Sequence, residues 1–258
     1  MLEVFERAVL AAGREILKIY KSDFSARLKE DNSPVTEADE CAEHIILAIL
    51  YEAFPGVPIV AEEAVAAGLL PALNRQSFIL VDPLDGTKEF LNGRDDFTVN
   101  IAFVENGVPV IGIVYAPALG VAYTGCAEGA MKLTIDENFK VTARHPVSVR
   151  QAQQCSIAVA SRSHVSCETE GFLKTLAILE TRSVGSSLKF CMVAEGIADV
   201  YPRFGRTMEW DTAAGDAVLR AAGGMTLGLD GEPMFYGKTN LTDDADFANR
   251  HFVAWGRR

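Results

Sequence analysis

Of the five cysteines in this 258-residue chain, Cys41, Cys126, Cys155, Cys167 and Cys191, no two form a CxxC. An odd number at wide spacings points to neither a zinc site nor a disulfide framework, and buried thiols in a reducing cytosol are expected. Long apolar runs are missing too. With no stretch of about 18 apolar residues, no transmembrane helix is expected. Basic residues are outnumbered, 24 Lys and Arg against 35 Asp and Glu, for a formal net charge of −11. That balance disfavours non-specific binding to nucleic acid or anionic membrane. It leaves carboxylates free to hold metal, and a site that brings its own cations can still take an anionic substrate. The absence of low-complexity tracts and internal repeats argues against solenoids and propellers.

What is present is ordinary for a well-packed globular chain: 49% hydrophobic and 23% charged residues. The length suits one large domain or two modest ones. In "MLEVFERAVLAAGREILKIYKSDF", Leu2, Phe5, Val9, Ala12, Ile16 and Ile19 share one helical face. Glu3, Glu6 and Arg7 break any apolar core, so no signal peptide is read. The segment is a core-packed helix, with attachment to a membrane surface as the alternative; a cytoplasmic location follows, peripheral at the inner membrane face in the second case.

A second helix is predicted over 37–51, burying Ala38, Ile45, Leu47, Ala48 and Ile49 and stopped by "FPGVP". "VPIVAEE" and "FILVDPLDG" read as strands that end in acid. From Phe97 onward two long apolar runs flank Glu105-Asn106-Gly107, a strong hairpin signal, and "GVAYTG" and "AMKLTI" continue the sheet. The polar "ARHPVSVRQAQQ" divides the chain into residues 1–145, helices on an antiparallel sheet, and 146–258, α/β layered. In the second part "CSIAVASRS" is a strand, "CETEGFLKTLAILE" a helix, and "TRSVGSSLKFCMVAEGIADVYPRF" strand, helix and strand. "EWDTAAGDAVLRAAGG" is a helix closed by Gly223-Gly224, and "MTLGLDGEPM" a hairpin around Asp230-Gly231.

Acids gather at element ends: Asp39, Glu62-Glu63, Asp82 with Asp85, and Asp211. In "DPLDG", Pro83 fixes its own φ and Gly86 is permissive, so both carboxylates and the Leu84 carbonyl can face one point. Two carboxylates held together raise each other's pKa unless a cation lies between them, and Mg²⁺ suits such an oxygen set. Plainer readings exist: an Asp-Pro-Gly surface turn, an acidic pair opening a helix, Asp211 as a helix N-cap, Asp39 as a first-turn acid.

The three motifs Glu62-Glu63, Asp82 to Thr87 and Trp210-Asp211, in that order, resemble the inositol-monophosphatase superfamily of metal-dependent, lithium-sensitive phosphatases. "DPLDGTKEF", "FTVNIA", "GIVYAP", "ASRSH", "GSSLKF", "VAEGIADVYPRFG" and "EWDTAAG" look like its 3′(2′),5′-bisphosphate nucleotidase branch, over nearly the whole chain. "AEEAVAAGLLPALNRQ" departs from that branch, and its "VAAG" resembles the inositol monophosphatases.

The resemblance implies a five-layered αβαβα sandwich with the metal site at the junction of two parts. It implies two or more Mg²⁺ held by Glu62, Asp82, Asp85, Asp211 and the Leu84 carbonyl, with Asp39 and Thr87 activating the attacking water. Glu62, Leu84, Asp85, Gly86, Thr87 and Asp211 would also touch substrate, as would His164, Gly185, Lys189 and Arg203. The implied reaction is hydrolysis of the 3′-phosphate of adenosine 3′,5′-bisphosphate, with its 5′-phosphosulfate analogue as a further substrate and a place in sulfur metabolism. Inositol or sugar phosphates are the alternative substrates; a non-catalytic regulator bound to protein or RNA is the alternative class. Whether the chain is a monomer or a homodimer stays open.

Overall fold

The apolar stripe of the N-terminal segment forms helix α1 (Leu2–Tyr20), with Phe5, Ala8, Val9, Ala12 and Ile16 completely buried. Each large apolar side chain so buried stabilises the fold by about 1.5–3 kcal/mol. The structure, a computed structural model, describes residues 1–22, 26–28, 34–73, 76–151, 156–162 and 167–257. After α1 come strands β1 (Ala26–Leu28) and β2 (Pro34–Thr36), helix α2 (Glu37–Ala53), β3 (Ile59–Ala61), α3 (Glu62–Ala66), β4 (Ser77–Asp85) and α4 (Thr87–Leu91). A meander follows: β5 (Thr98–Glu105), β6 (Val108–Ala116), β7 (Val121–Cys126), β8 (Gly129–Ile135) and β9 (Val141–Val147). The second half comprises β10 (Ile157–Ser161), α5 (Cys167–Thr175), β11 (Glu180–Val184), α6 (Leu188–Ala194) and β12 (Val200–Arg203). It ends with β13 (Thr207–Met208), α7 (Ala213–Ala221), β14 (Met225–Gly228), β15 (Ala248–Asn249) and β16 (Phe252–Trp255).

Strands β3 to β9 form a seven-stranded sheet in chain order, antiparallel except where β3 runs parallel to β4. A five-stranded sheet has the order β11-β10-β12-β16-β14. Helices α1 and α2 cover one face of the larger sheet, α6 and α7 lie between the sheets, and α5 packs outside the smaller one. The order of layers is α, β, α, β, α, as expected. Among the described residues no helix is long and apolar enough to cross a membrane.

Three local features depart from the sequence reading or sharpen it. In α2 the buried stripe is Ala38, Ala42, Ile46 and Leu50, whereas Ile45, Leu47 and Ile49 are half-buried and Ala48 is exposed. The run "IILAIL" hides its own phase; an i, i+4 series anchored at Ala38 sets it instead. Asn106 and Gly107 both have positive φ, 51° and 76°, and close the β5–β6 hairpin as read. The "MTLGLDGEPM" hairpin shrinks to one bridge, Leu227 to Pro233, because β14 pairs with β16.

One close approach positions the middle layer. A Cβ on Gly112 of β6 would meet the Ala214 carbonyl of α7 at 2.6 Å, and Gly125 of β7 is crowded by Ala217 and Val218 in the same way. The two glycines let α7 lie directly on the sheet, which brings the residues just before it to the ends of β4 and β5.

Candidate active site

Asp82 and Asp85 are three residues apart, so in a regular strand they would face opposite sides of the sheet. The ladder corrects this. Asp82 pairs with Asn100 and Asp85 with Thr98, so three steps along β4 match two along β5, and the extra residue is a bulge. Pro83, with no N–H to lose from the ladder, lies in that bulge. Both acids thereby turn to one side, while the Leu84 side chain is buried in the core beneath. The parallel register of β3 on β4, Ala61 opposite Val81, sets Glu62 alongside Asp82. Glu43 of α2 fixes the start of α3: its carboxylate accepts the N–H groups of Glu63 at 2.7 Å and Ala64 at 2.8 Å. Burial pushes the Glu43 carboxyl up to about 7, against the pull of those two N–H groups.

Asp211 arrives from the other half of the chain. It is not the N-cap of α7, as one reading had it; Thr212 holds that position, and Asp211 Oδ2 instead accepts the N–H of Met208 at 2.8 Å. The preceding loop is fixed by Glu209, fully buried, whose carboxylate takes the N–H of Gly237 and both the N–H and Nζ of Lys238.

Glu62, Asp82, Leu84, Asp85, Gly86, Thr87, Gly185, Lys189, Arg203 and Asp211 all line one cavity of about 260 Å³. Asp39 stands behind it, 2% exposed. Its Oδ1 accepts the Thr87 hydroxyl at 3.2 Å, and its Oδ2 accepts both the N–H and the Oγ of Thr36, at 2.8 and 2.7 Å. Helix capping and contact with the site are therefore carried by different oxygens of one carboxylate. The Thr87 hydroxyl has a second acceptor within reach, the Leu84 carbonyl at 3.2 Å. His164 lies outside the described residues. The described part of the "VAAG" segment beyond Glu62 does not reach the cavity wall.

The acids of the site are buried and repel one another. Burial raises the Asp211 carboxyl well above its ordinary range, and the charges of Asp85 and Glu62 raise it further. Asp85 is raised by burial as well, offset in part by Lys189 and the Ser187 hydroxyl. All the donors are oxygens, the chemistry a hard divalent cation takes. Among the described residues, however, no three acidic, His or Cys groups converge on one point. The reason is visible: Asp82 Oδ1 is turned to the Leu84 N–H at 3.0 Å and Asp85 Oδ2 to Ser187 Oγ at 3.0 Å. The fit to a metal rests on the donors themselves, carboxylates and a main-chain carbonyl lining one cavity, an all-oxygen set that suits a hard divalent cation.

Basic groups share the cavity. Lys189, 5% exposed, donates to the Ser186 carbonyl at 2.5 Å and lies over the Tyr201 ring. Burial lowers its ammonium to about 8, against the attraction of Asp85. Arg203 is buried, with its Nη2 on the Arg206 carbonyl at 3.1 Å and its Nε without a partner among the described residues.

The whole length of this arrangement matches a family model, the inositol monophosphatase family, over residues 1–253. The chain belongs to that family. It is 39% identical over 256 residues to the 3′(2′),5′-bisphosphate nucleotidase CysQ of Buchnera aphidicola, covering 98% of this chain and 93% of that protein. It is 43% identical over 227 residues to CysQ of Escherichia coli K12, covering 87% of this chain and 89% of that protein. Among solved structures, CysQ of Bacteroides thetaiotaomicron is 38% identical, with a TM-score of 0.77 and coverage of 97% and 95%. The family is one of metal-dependent phosphatases.

Sequence reasoning missed Asn100, whose Nδ2 donates to Ser187 Oγ at 3.0 Å from a position 1% exposed. The signal was available: Thr98 and Asn100 are polar at alternate positions of an otherwise apolar strand, both buried on one face. Glu43 and Glu209, which hold the loops bearing Glu62 and Asp211, gave no sequence signal beyond being acids.

Proposed function

We propose that this chain is a metal-dependent 3′(2′),5′-bisphosphate nucleotidase acting in the cytoplasm. It removes the 3′-phosphate of adenosine 3′,5′-bisphosphate to leave AMP and phosphate, and takes the 5′-phosphosulfate analogue in the same way. The observation that carries the reading is the shared lining of one cavity: Glu62, Asp82, Asp85 and Asp211 together with Lys189 and Arg203. A site for a monophosphate alone has little use for the two buried cations, whereas a nucleotide with a second anion does. Relatives named for this activity, at 39% and 43% identity, support it.

In this reading Glu62, Asp82, Asp85, Asp211 and the Leu84 carbonyl hold Mg²⁺, two or more ions. Bound there, the metal neutralises charge on the scissile phosphate and lowers the pKa of water. Thr87 Oγ orients the attacking water and passes its proton toward Asp39 Oδ1, the carboxylate compensating for the weak basicity of a hydroxyl. The main chain at Gly86 and Thr87 holds the phosphate being cleaved. Gly185, Lys189, Arg203 and His164 hold the rest of the nucleotide. Two parts of the chain meet at the cavity; the break expected at 145/146 falls inside β9 (Val141–Val147), so the first part runs to the end of that strand.

The test compares phosphate release from adenosine 3′,5′-bisphosphate and from inositol 1-phosphate, with Mg²⁺, with EDTA and with added Li⁺. Mg²⁺-dependent preference for the nucleotide, suppressed by EDTA and Li⁺, is expected. Preference for inositol phosphate would move the substrate and keep the metal chemistry. No release from either would remove the enzymatic reading.

A further inference from the structure

Four cations line the cavity among the described residues: Lys88, Lys189, Arg203 and Arg206. Two are held by main-chain carbonyls: Lys189, which also lies over the Tyr201 ring, and Arg203, on the Arg206 carbonyl. Lys88 belongs to α4, next to Thr87 and the phosphate to be cleaved.

Arg206 is different at each end. Its main chain is fixed, because its carbonyl receives Arg203 Nη2 and the next residue, Thr207, opens β13 against β15. Its guanidinium is solvated and weakly held. The side chain is 52% exposed and, among the described residues, makes one hydrogen-bonded ion pair, Nε to Asp244 Oδ1 at 3.0 Å, with an acid itself 41% exposed. A solvated one-point ion pair of this kind is worth only about 0–1 kcal/mol. A phosphate carries more charge and can meet the guanidinium fork with two oxygens, so it competes well for the same group. The partnerless Nε of buried Arg203 marks the same corner as short of an acceptor.

We propose that Arg206 is a specificity-determining residue of this site, held at the rim by Asp244 until the non-scissile phosphate of a nucleotide bisphosphate displaces that carboxylate. The proposal rests on the nucleotidase reading above and adds, beside Lys189 and Arg203, a further residue that separates a bisphosphate from a monophosphate. Asp244 sets the threshold: it keeps the guanidinium near the cavity and taxes its transfer to a ligand.

The experiment pairs two substrates with one scissile bond, adenosine 3′,5′-bisphosphate and adenosine 3′-monophosphate. In Arg206→Ala, KM for the bisphosphate should rise about tenfold to a hundredfold, the worth of one charged hydrogen-bonded contact, and far more than for the monophosphate. Arg206→Lys, which keeps the charge and loses the fork, should fall between. Asp244→Ala should lower KM for the bisphosphate by up to about fivefold, and should do nothing in the Arg206→Ala background. Equal losses on both substrates, or an Asp244 effect that persists without Arg206, would overturn the proposal. Equilibrium binding of AMP, which keeps the 5′-phosphate, separates this from the reaction itself. If the unmodified protein cleaves neither nucleotide, the nucleotidase reading falls; weaker AMP binding in Arg206→Ala would still support the rim contact, and unchanged binding would overturn it.

Discussion

Ser187 Oγ lies 3.0 Å from Asp85 Oδ2 and 2.6 Å from the main-chain carbonyl of Asp211. One hydroxyl, 2% exposed, thus sits between an acid of the larger sheet and the peptide of an acid from the second half. Asn100 donates to the same oxygen, so the serine hydrogen is left for Asp85 or Asp211. Ser187→Ala removes the link and leaves Asn100 Nδ2 without it. A hydrogen bond to a charged group is worth about 1.5–3 kcal/mol, so turnover should fall at least about tenfold, with a higher Mg²⁺ concentration for half-maximal rate. A titration of rate against Mg²⁺ checks it; an unchanged midpoint would assign Ser187 to packing alone.

Gly185 makes a second joint. Its N–H is received by Asp96 Oδ2 at 2.6 Å, an oxygen that also receives Arg162 Nη1 at 2.7 Å. A Cβ there would lie 2.6 Å from the Asp96 carbonyl and 2.7 Å from Glu89 Cγ. Because the first of these is backbone, the strain cannot be relieved by a rotamer change. Gly185→Ala should cost about 1–3 kcal/mol in urea denaturation and depress activity by shifting Ser187. Loss of stability with full activity would show that the turn is not coupled to the acids.

The uneven legibility of this chain has physical causes. Strand β4, the Asn106-Gly107 turn and the acid motifs were readable because each is set by local chemistry: apolar period, left-handed turn residues, carboxylates around a bulge. Strand β9 was not, since its residues are half-buried or exposed on a sheet edge and the alternation Val141-Thr142-Ala143-Arg144 is short and lapses at His145-Pro146. The stripe of α2 was misread because an apolar run fits several phases, and contacts made far along the chain choose among them. In the site, the acids announced themselves, but the groups that aim them did not. Asn100, Glu43 and Glu209 act through partners 15 to 87 residues away, such as Asp85, 15 from Asn100, and Ser187, 87 from it. No local pattern encodes that.

Asp199 gives the acid limb of stability. Burial alone would raise its carboxyl, but the Arg150 fork at 2.6 and 2.7 Å and the N–H groups of Ser156 and Ile157 hold it down, to about 2. The folded value is below the unfolded one, so the contribution is complete above about pH 4 and is lost as pH falls toward about 2. Its size is about 2 kcal/mol. Asp199→Asn should lose at least that amount at neutral pH, and its stability should decline less steeply between pH 4 and 2. Urea midpoints across that range decide the matter; parallel curves for the two proteins would mean that Asp199 does not titrate in this way.

Asp39 and Thr87 must be tested as a pair, because Asp39 also caps α2. Thr87→Val keeps the shape and removes the hydroxyl, which is only half-buried, so stability should barely change. Activity should fall by about 10²–10⁴, the range for a positioned proton acceptor. Asp39→Asn is a mixed lesion. Asn offers one oxygen where two now work, one for the Thr36 N–H and hydroxyl and one for Thr87. It should lose similar activity and about 0.5–2 kcal/mol of stability besides. The decisive protein is the double variant. If Thr87 passes a proton to Asp39, removing the second member of a broken relay costs little more, and its rate should match that of Thr87→Val. Losses that multiply would mean that the two residues act independently, and the relay would have to be given up.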